Sequence, residues 1–193
     1  MALITSQFAK KKIGIESIVQ KENLKNNMVP IVEPEVLMDG SHSIEECYDA
    51  TSRTLKSLFQ NLEKENVDIT GTILKPNMVT PGSEHQEKIG VETVAKETLR
   101  CLHECVPDNL PAITFLSGGQ SETVSTEHLD AMNKIGGFPW KLSFSYGRAL
   151  QAGALKAWLG KSENVDTAQS AFSHRALMNK LASKGEWQKD LEN

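Results

Sequence analysis

The sequence is short of cysteine, carries only scattered histidines, has no surplus of positive charge and contains no long apolar run. Each shortage removes a class of protein. Its three cysteines, Cys47, Cys101 and Cys105, are an odd and sparse set, which excludes a disulfide framework. Cys101 and Cys105 are spaced to stack one turn apart on a helix, where they read as small apolar core residues. The five histidines (His42, His85, His103, His128 and His174) form no HExxH or similar pair, so neither a metal site nor a cofactor is expected. Lys and Arg total 21 against 25 Asp and Glu, a net charge of −4, which leaves no electrostatic footprint for nucleic acid or an acidic membrane surface. The one basic run, Lys10 to Lys12, reads as a solvated tail. No apolar stretch approaches the roughly 18–20 residues of a membrane span. The opening MALITSQFAKKK also lacks the charged-then-apolar order of a signal peptide, which points to the cytoplasm.

What remains is an ordinary globular composition. At 193 residues, with 39% hydrophobic and 24% charged side chains, the chain suits one domain or a large piece of a bigger one. Four short apolar segments recur: VPIVEPEV (Val29 to Val36), DITGTILK (Asp68 to Lys75), PAITFLS (Pro111 to Ser117) and WKLSFS (Trp140 to Ser145). Their β-branched, near-continuous apolar character predicts strands buried on both faces, as in a parallel sheet.

Helical patterns separate and follow them. Ser43 and Glu46 have capping-box spacing ahead of a stripe of Ile44, Tyr48, Thr51, Leu55, Leu58, Phe59 and Leu62. A second stripe, Val91, Val94, Ala95, Leu99 and Leu102, ends at Pro107. Weaker patterns predict helices over Ser121 to Met132, Gly147 to Trp158 and Glu163 to Ala182. Strand–helix alternation calls for a parallel sheet with crossover helices, either an open doubly wound sheet or part of a (β/α)₈ barrel. A whole barrel takes about 250 residues, and four units make half of one.

Polar residues gather at the C-terminal ends of these strands, the face that binds ligands in both architectures. Glu33 and Glu35 lie two apart and so face one side, where paired carboxylates can serve as acid and base. Alternatively they are solvated residues of an edge strand, with Pro34 removing a ladder donor. Ile31, Val32, Val36 and Leu37 favour a buried strand. Lys75 ends the second segment, either solvated or as a nucleophile whose neutral amine is favoured by burial or cationic neighbours. Ser117, Gly118 and Gly119 end the third; consecutive glycines let backbone N–H groups approach an anion, though a tight turn explains them equally. Ser145, Gly147 and Arg148 end the fourth, with a guanidinium suited to bidentate phosphate binding. Together they suggest carbonyl chemistry on a phosphorylated sugar.

Four longer stretches, VPIVEPEVLMDG, GTILKPNMVTPG, PAITFLSGGQSE and PWKLSFSYGRALQAGALKAW, closely resemble the class I fructose-bisphosphate aldolases. The resemblance runs from Val29 to Ala182 and implies the C-terminal half of a (β/α)₈ barrel, about four βα units. It implies that Lys75 is a Schiff-base lysine, Glu33 the acid/base glutamate and Glu35 its carboxylate neighbour. By the same resemblance Ser117, Gly118 and Gly119 form the loop that holds the phosphate next to the ketone, and Ser145, Gly147 and Arg148 form the other phosphate-binding segment. The implied reaction is metal-independent cleavage of fructose 1,6-bisphosphate to dihydroxyacetone phosphate and glyceraldehyde 3-phosphate. FAK at Phe8 to Lys10 resembles the family's FAKWR, which matches Lys10 to a further active-site lysine, although only 22 residues separate Lys10 from Glu33. The family's first strands have no counterpart in the sequence. Residues 1–28 are therefore expected to be a shortened remnant and residues 29–193 an aldolase-like half-barrel.

Two functions fit: a lyase, and a non-catalytic remnant that binds a sugar phosphate or a protein. A half-barrel exposes two sheet edges, so homo-oligomers or association with another aldolase chain are expected.

Overall fold

In the computed structural model, which describes residues 28–192, four strand–helix units follow one another. They are β1 (Ile31–Val32) with α1 (Ile44–Lys64), β2 (Ile73–Leu74) with α2 (Val91–Cys105), β3 (Ala112–Phe115) with α3 (Glu122–Ile135), and β4 (Lys141–Phe144) with α4 (Arg148–Trp158). A further helix, α5 (Val165–Ala182), and a 3₁₀ turn at Lys189–Glu192 complete the described chain. Residues 1–27, and with them Lys10 and most of the expected shortened segment, lie outside the described residues.

The local signals explain the helices. Ser43 Oγ accepts from the Glu46 N–H at 3.2 Å while Glu46 Oε2 accepts from the Ser43 N–H at 2.8 Å, the reciprocal cap that starts α1. Its stripe is buried at Ile44, Tyr48, Thr51, Leu55 and Leu62. Ser121 caps α3 by accepting from the Val124 N–H, and that helix runs one turn beyond the expected Met132 to Ile135. Cys101 and Cys105 are buried on α2 as their spacing predicted, with all three cysteines free. Burial pushes the thiols of Cys47 and Cys101 up, so they are held neutral.

The four strands form one parallel sheet in the order β1-β2-β3-β4. A doubly wound sheet reverses its order part-way, whereas a barrel adds each strand beside the last. The sheet is therefore an arc of a (β/α)₈ barrel. Register places Ile31, Ile73, Ala112 and Lys141 in one row and Val32, Leu74, Ile113 and Leu142 in the next. Leu74, Ile113, Phe115 and Leu142 are buried in the core with the inner faces of the helices. Ala112, Thr114 and Ser143, on the opposite concave face, are only half-buried, and Lys141 is exposed. All helices thus lie on one side.

Two expectations about the strands are corrected. The ladder elements are shorter than the apolar segments, because Pro30, Pro34 and Pro76 have no N–H to donate. The Val29 to Val36 segment reduces to Ile31–Val32. Nor is β1 buried on both faces: Ile31 on the concave face is 51% exposed, and Leu37 beyond the strand 44%, because among the described residues β1 is an edge strand with only its helix-facing side packed.

Candidate active site

Parallel strands in sequential order bring all four C-terminal ends to one rim. The Lys75 N–H donates to the Val32 carbonyl at 2.7 Å, continuing the β1–β2 ladder one step past the strands. Glu33 and Lys75 consequently emerge side by side, and Lys75 Nζ lies 2.9 Å from Glu33 Oε1. The lysine side chain is 19% and the glutamate side chain 49% exposed. Of the two surroundings expected for a nucleophilic lysine, partial burial is present. The facing group is a carboxylate rather than a cation, and at this distance it can accept the ammonium proton directly. Glu35 is exposed and makes no ion pair among the described residues, whereas Glu33 pairs with Lys75.

On the next strand, Thr114 follows the concave face, and its buried Oγ1 has no hydrogen-bond partner among the described residues. Beyond it Ser117 is buried, and Gly118 (φ 57°) and Gly119 (φ 88°) take consecutive left-handed conformations that a side chain would strain. The backbone N–H groups of these two glycines donate to no acceptor among the described residues. After β4, the Ser145 N–H donates to the Phe115 carbonyl at 2.9 Å. Gly147 then caps α4, whose first residue, Arg148, is exposed with no ion-pair partner among the described residues. The N–H groups of Arg148 and Ala149 in that first turn have no intrahelical acceptor, so two sets of free donors follow the Glu33–Lys75 pair along the rim, after β3 and β4.

Several residues that hold this rim escaped the sequence reading. Asn77 is buried; its Oδ1 accepts from the Val36 N–H at 2.9 Å and its Nδ2 donates to Thr51 Oγ1 at 3.0 Å, tying the segments after β1 and β2 to α1. The loops are joined again where the Gly82 N–H donates to the His42 carbonyl and the Ser83 N–H to the Met38 carbonyl. Gln120 contacts both Ser117 and His128.

Among the described residues, no three His, Cys, Asp or Glu side chains gather as metal ligands, and no helix is long and apolar enough to cross a membrane.

The model of glycolytic class-I fructose-bisphosphate aldolases matches residues 15–193. The chain belongs to that family. It is 52% identical over 169 residues to cytosolic fructose-bisphosphate aldolase 4 of Arabidopsis thaliana, covering 87% of this chain and 43% of that protein. It is 50% identical over 164 residues to a probable class 1 fructose-bisphosphate aldolase of Xanthomonas axonopodis pv. citri, covering 84% of this chain and 49% of the relative. A solved fructose-bisphosphate aldolase from Plasmodium falciparum, crystallised with TRAP and a small-molecule inhibitor, is similar with TM-score 0.84 and 46% identity. That match covers 89% of this chain and 48% of the solved one. The chain therefore spans about half the length of the relatives it matches. The structural match also agrees with a partial (β/α)₈ barrel.

Proposed function

We propose that the chain carries the imine-forming and phosphate-binding half of a class I aldolase site and acts on fructose 1,6-bisphosphate and triose phosphates. The observation that carries this reading is the 2.9 Å approach of Lys75 Nζ and Glu33 Oε1 on adjacent strand ends of an aldolase half-barrel. In this reading the Lys75 amine adds to the ketone of the sugar and water leaves, giving a protonated imine. Electrons from the cleaving C–C bond flow into that imine, which accepts them better than a carbonyl. The aldehyde product, glyceraldehyde 3-phosphate, departs as the hydroxyl proton passes to a base. Protonation and hydrolysis then release dihydroxyacetone phosphate and restore the amine. Glu33 is the proton carrier and Glu35 its carboxylate neighbour. Ser117, Gly118 and Gly119 hold the phosphate next to the ketone; Ser145, Gly147 and Arg148 form a second phosphate-binding segment on the neighbouring strand end. Family membership and the cytosolic relatives support a cytoplasmic role in sugar-phosphate cleavage.

The concave face and both sheet edges favour a second reading of how the site is completed. Strands β1 and β4 each have an unpaired side among the described residues, and Ile31 on that face is half exposed. Unpaired edges template association, so another copy or another aldolase chain is the proposed partner. A stable monomer with cooperative unfolding in light scattering would rule this out.

The catalytic reading is tested by incubation with dihydroxyacetone phosphate, borohydride reduction and mass spectrometry. An adduct on Lys75 supports it. Phosphate binding with no adduct would instead identify a non-catalytic sugar-phosphate-binding protein.

A further inference from the structure

The Ser117–Gly118–Gly119 turn is held from outside itself. Two donors converge on the Ser117 carbonyl, the Gln120 backbone N–H at 3.0 Å and Gln120 Nε2 at 3.1 Å. The same Nε2 approaches Met78 Sδ at 3.5 Å. With its amide nitrogen committed as a donor, Gln120 must use Oε1 as an acceptor, and that oxygen lies 2.6 Å from His128 Nδ1. The network therefore assigns the proton to Nδ1 of the imidazole. His128 sits on α3 and is only 6% exposed. Burial pulls it down to about 4, so near neutral pH it is an uncharged single-tautomer donor.

We infer that Gln120 and His128 are positioning residues for the phosphate loop, a relay that fixes the Ser117 carbonyl and so keeps the Gly118 and Gly119 N–H groups presented to an anion. Two consecutive glycines lose much conformational freedom when held in one geometry, and a turn closed by one backbone bond alone would sample others. The relay adds a side-chain bond to the same carbonyl and anchors that side chain in the core. The Cβ–amide–imidazole path also couples the loop to α3, whose own start at Ser121 immediately follows the turn. The inference rests on the phosphate-binding reading above and names what makes that loop competent.

The test measures the affinity of inorganic phosphate by calorimetry for the wild-type chain, Gln120→Met, His128→Leu and the double variant. Each single change is expected to weaken binding about tenfold, the worth of one hydrogen bond. The double variant should be weakened about tenfold as well, not a hundredfold, because both residues act through one bond. His128→Gln, which restores an N–H donor, should recover part of the loss. Ser121→Ala removes the cap of the same helix and controls for stability; its melting point should fall while its phosphate affinity stays. Should His128→Leu not fold, Gln120→Met alone decides, since Gln120 is only half-buried. Wild-type binding with unchanged affinity in Gln120→Met overturns the relay and leaves the phosphate reading standing. No phosphate binding by the wild type overturns that reading, and the relay with it.

Discussion

Asn77 Oδ1 accepts the Val36 N–H at 2.9 Å, across 41 residues of sequence, and so joins the segments that follow Glu33 and Lys75. Val36 is three residues past Glu33 and Asn77 two past Lys75, so the carboxamide fastens both strand ends at once. Asn77→Ala leaves the Val36 N–H and Thr51 hydroxyl without this partner. It is expected to cost about 1–3 kcal/mol in urea unfolding. The same variant should lower the yield of borohydride-trapped imine even at temperatures where it is fully folded. Undiminished trapping would show that the pair is set by the ladder alone.

The 2.9 Å ion pair assigns separable tasks to its members. Lys75→Met should abolish trapping, because no amine remains to form an imine. Glu33→Gln keeps the amine and removes the proton acceptor. Its rate of imine formation should fall by about 10²–10⁴-fold while the adduct still maps to Lys75. Rapid quench and peptide mapping distinguish a slowed step from a lost one.

Gly82 is required by a neighbour rather than by its own backbone. A methyl group there would overlap the Gly40 carbonyl oxygen and press on the His42 N, backbone atoms that cannot rotate away. Gly82→Ala should therefore cost about 1–3 kcal/mol. Gly71, in the same motif, has nothing within 4 Å of an added Cβ, so Gly71→Ala should shift stability by no more than about 1 kcal/mol. Chemical denaturation of the two variants side by side provides the check.

His128 makes stability depend on pH in a defined direction. Its folded value of about 4 lies below the ordinary 6.5, so the unfolded chain binds the proton more tightly. The contribution is whole above pH 6.5 and is lost as pH falls toward 4. Between pH 7 and 4.5 the wild type should lose about 2–3 kcal/mol more than His128→Gln, which has nothing to titrate at that position. Equal losses in the two proteins would place the acid sensitivity elsewhere.

The helices were readable because a cap and a stripe are written within a few residues. Ser43 and Glu46 are three apart, and the buried side of α1 repeats along Ile44, Tyr48, Leu55 and Leu62. The rim was readable in residue type, since Lys75, Glu33 and the paired glycines stand next to strand-like runs. What held the rim was not. Asn77 reaches Val36 and Thr51, and Gly82 yields space to Gly40, over separations that no periodicity encodes. The burial of β1 was misread for a related reason. Apolar residues such as Ile31 and Leu37 report what a strand can bury, while its place at the sheet edge decides what it does bury.

Strand order carries one more consequence. Neighbouring strands are held about 4.8 Å apart by their hydrogen bonds. That interval acts as a ruler along the rim, with Glu33 and Lys75 on the first two marks and the Ser117–Gly119 turn on the third. A carbonyl carbon at Lys75 and a phosphate one mark away are separated by only a few bonds. Under the proposed function, the sheet's own spacing would thus favour compounds whose phosphate sits on the carbon beside the ketone, before any side chain discriminates.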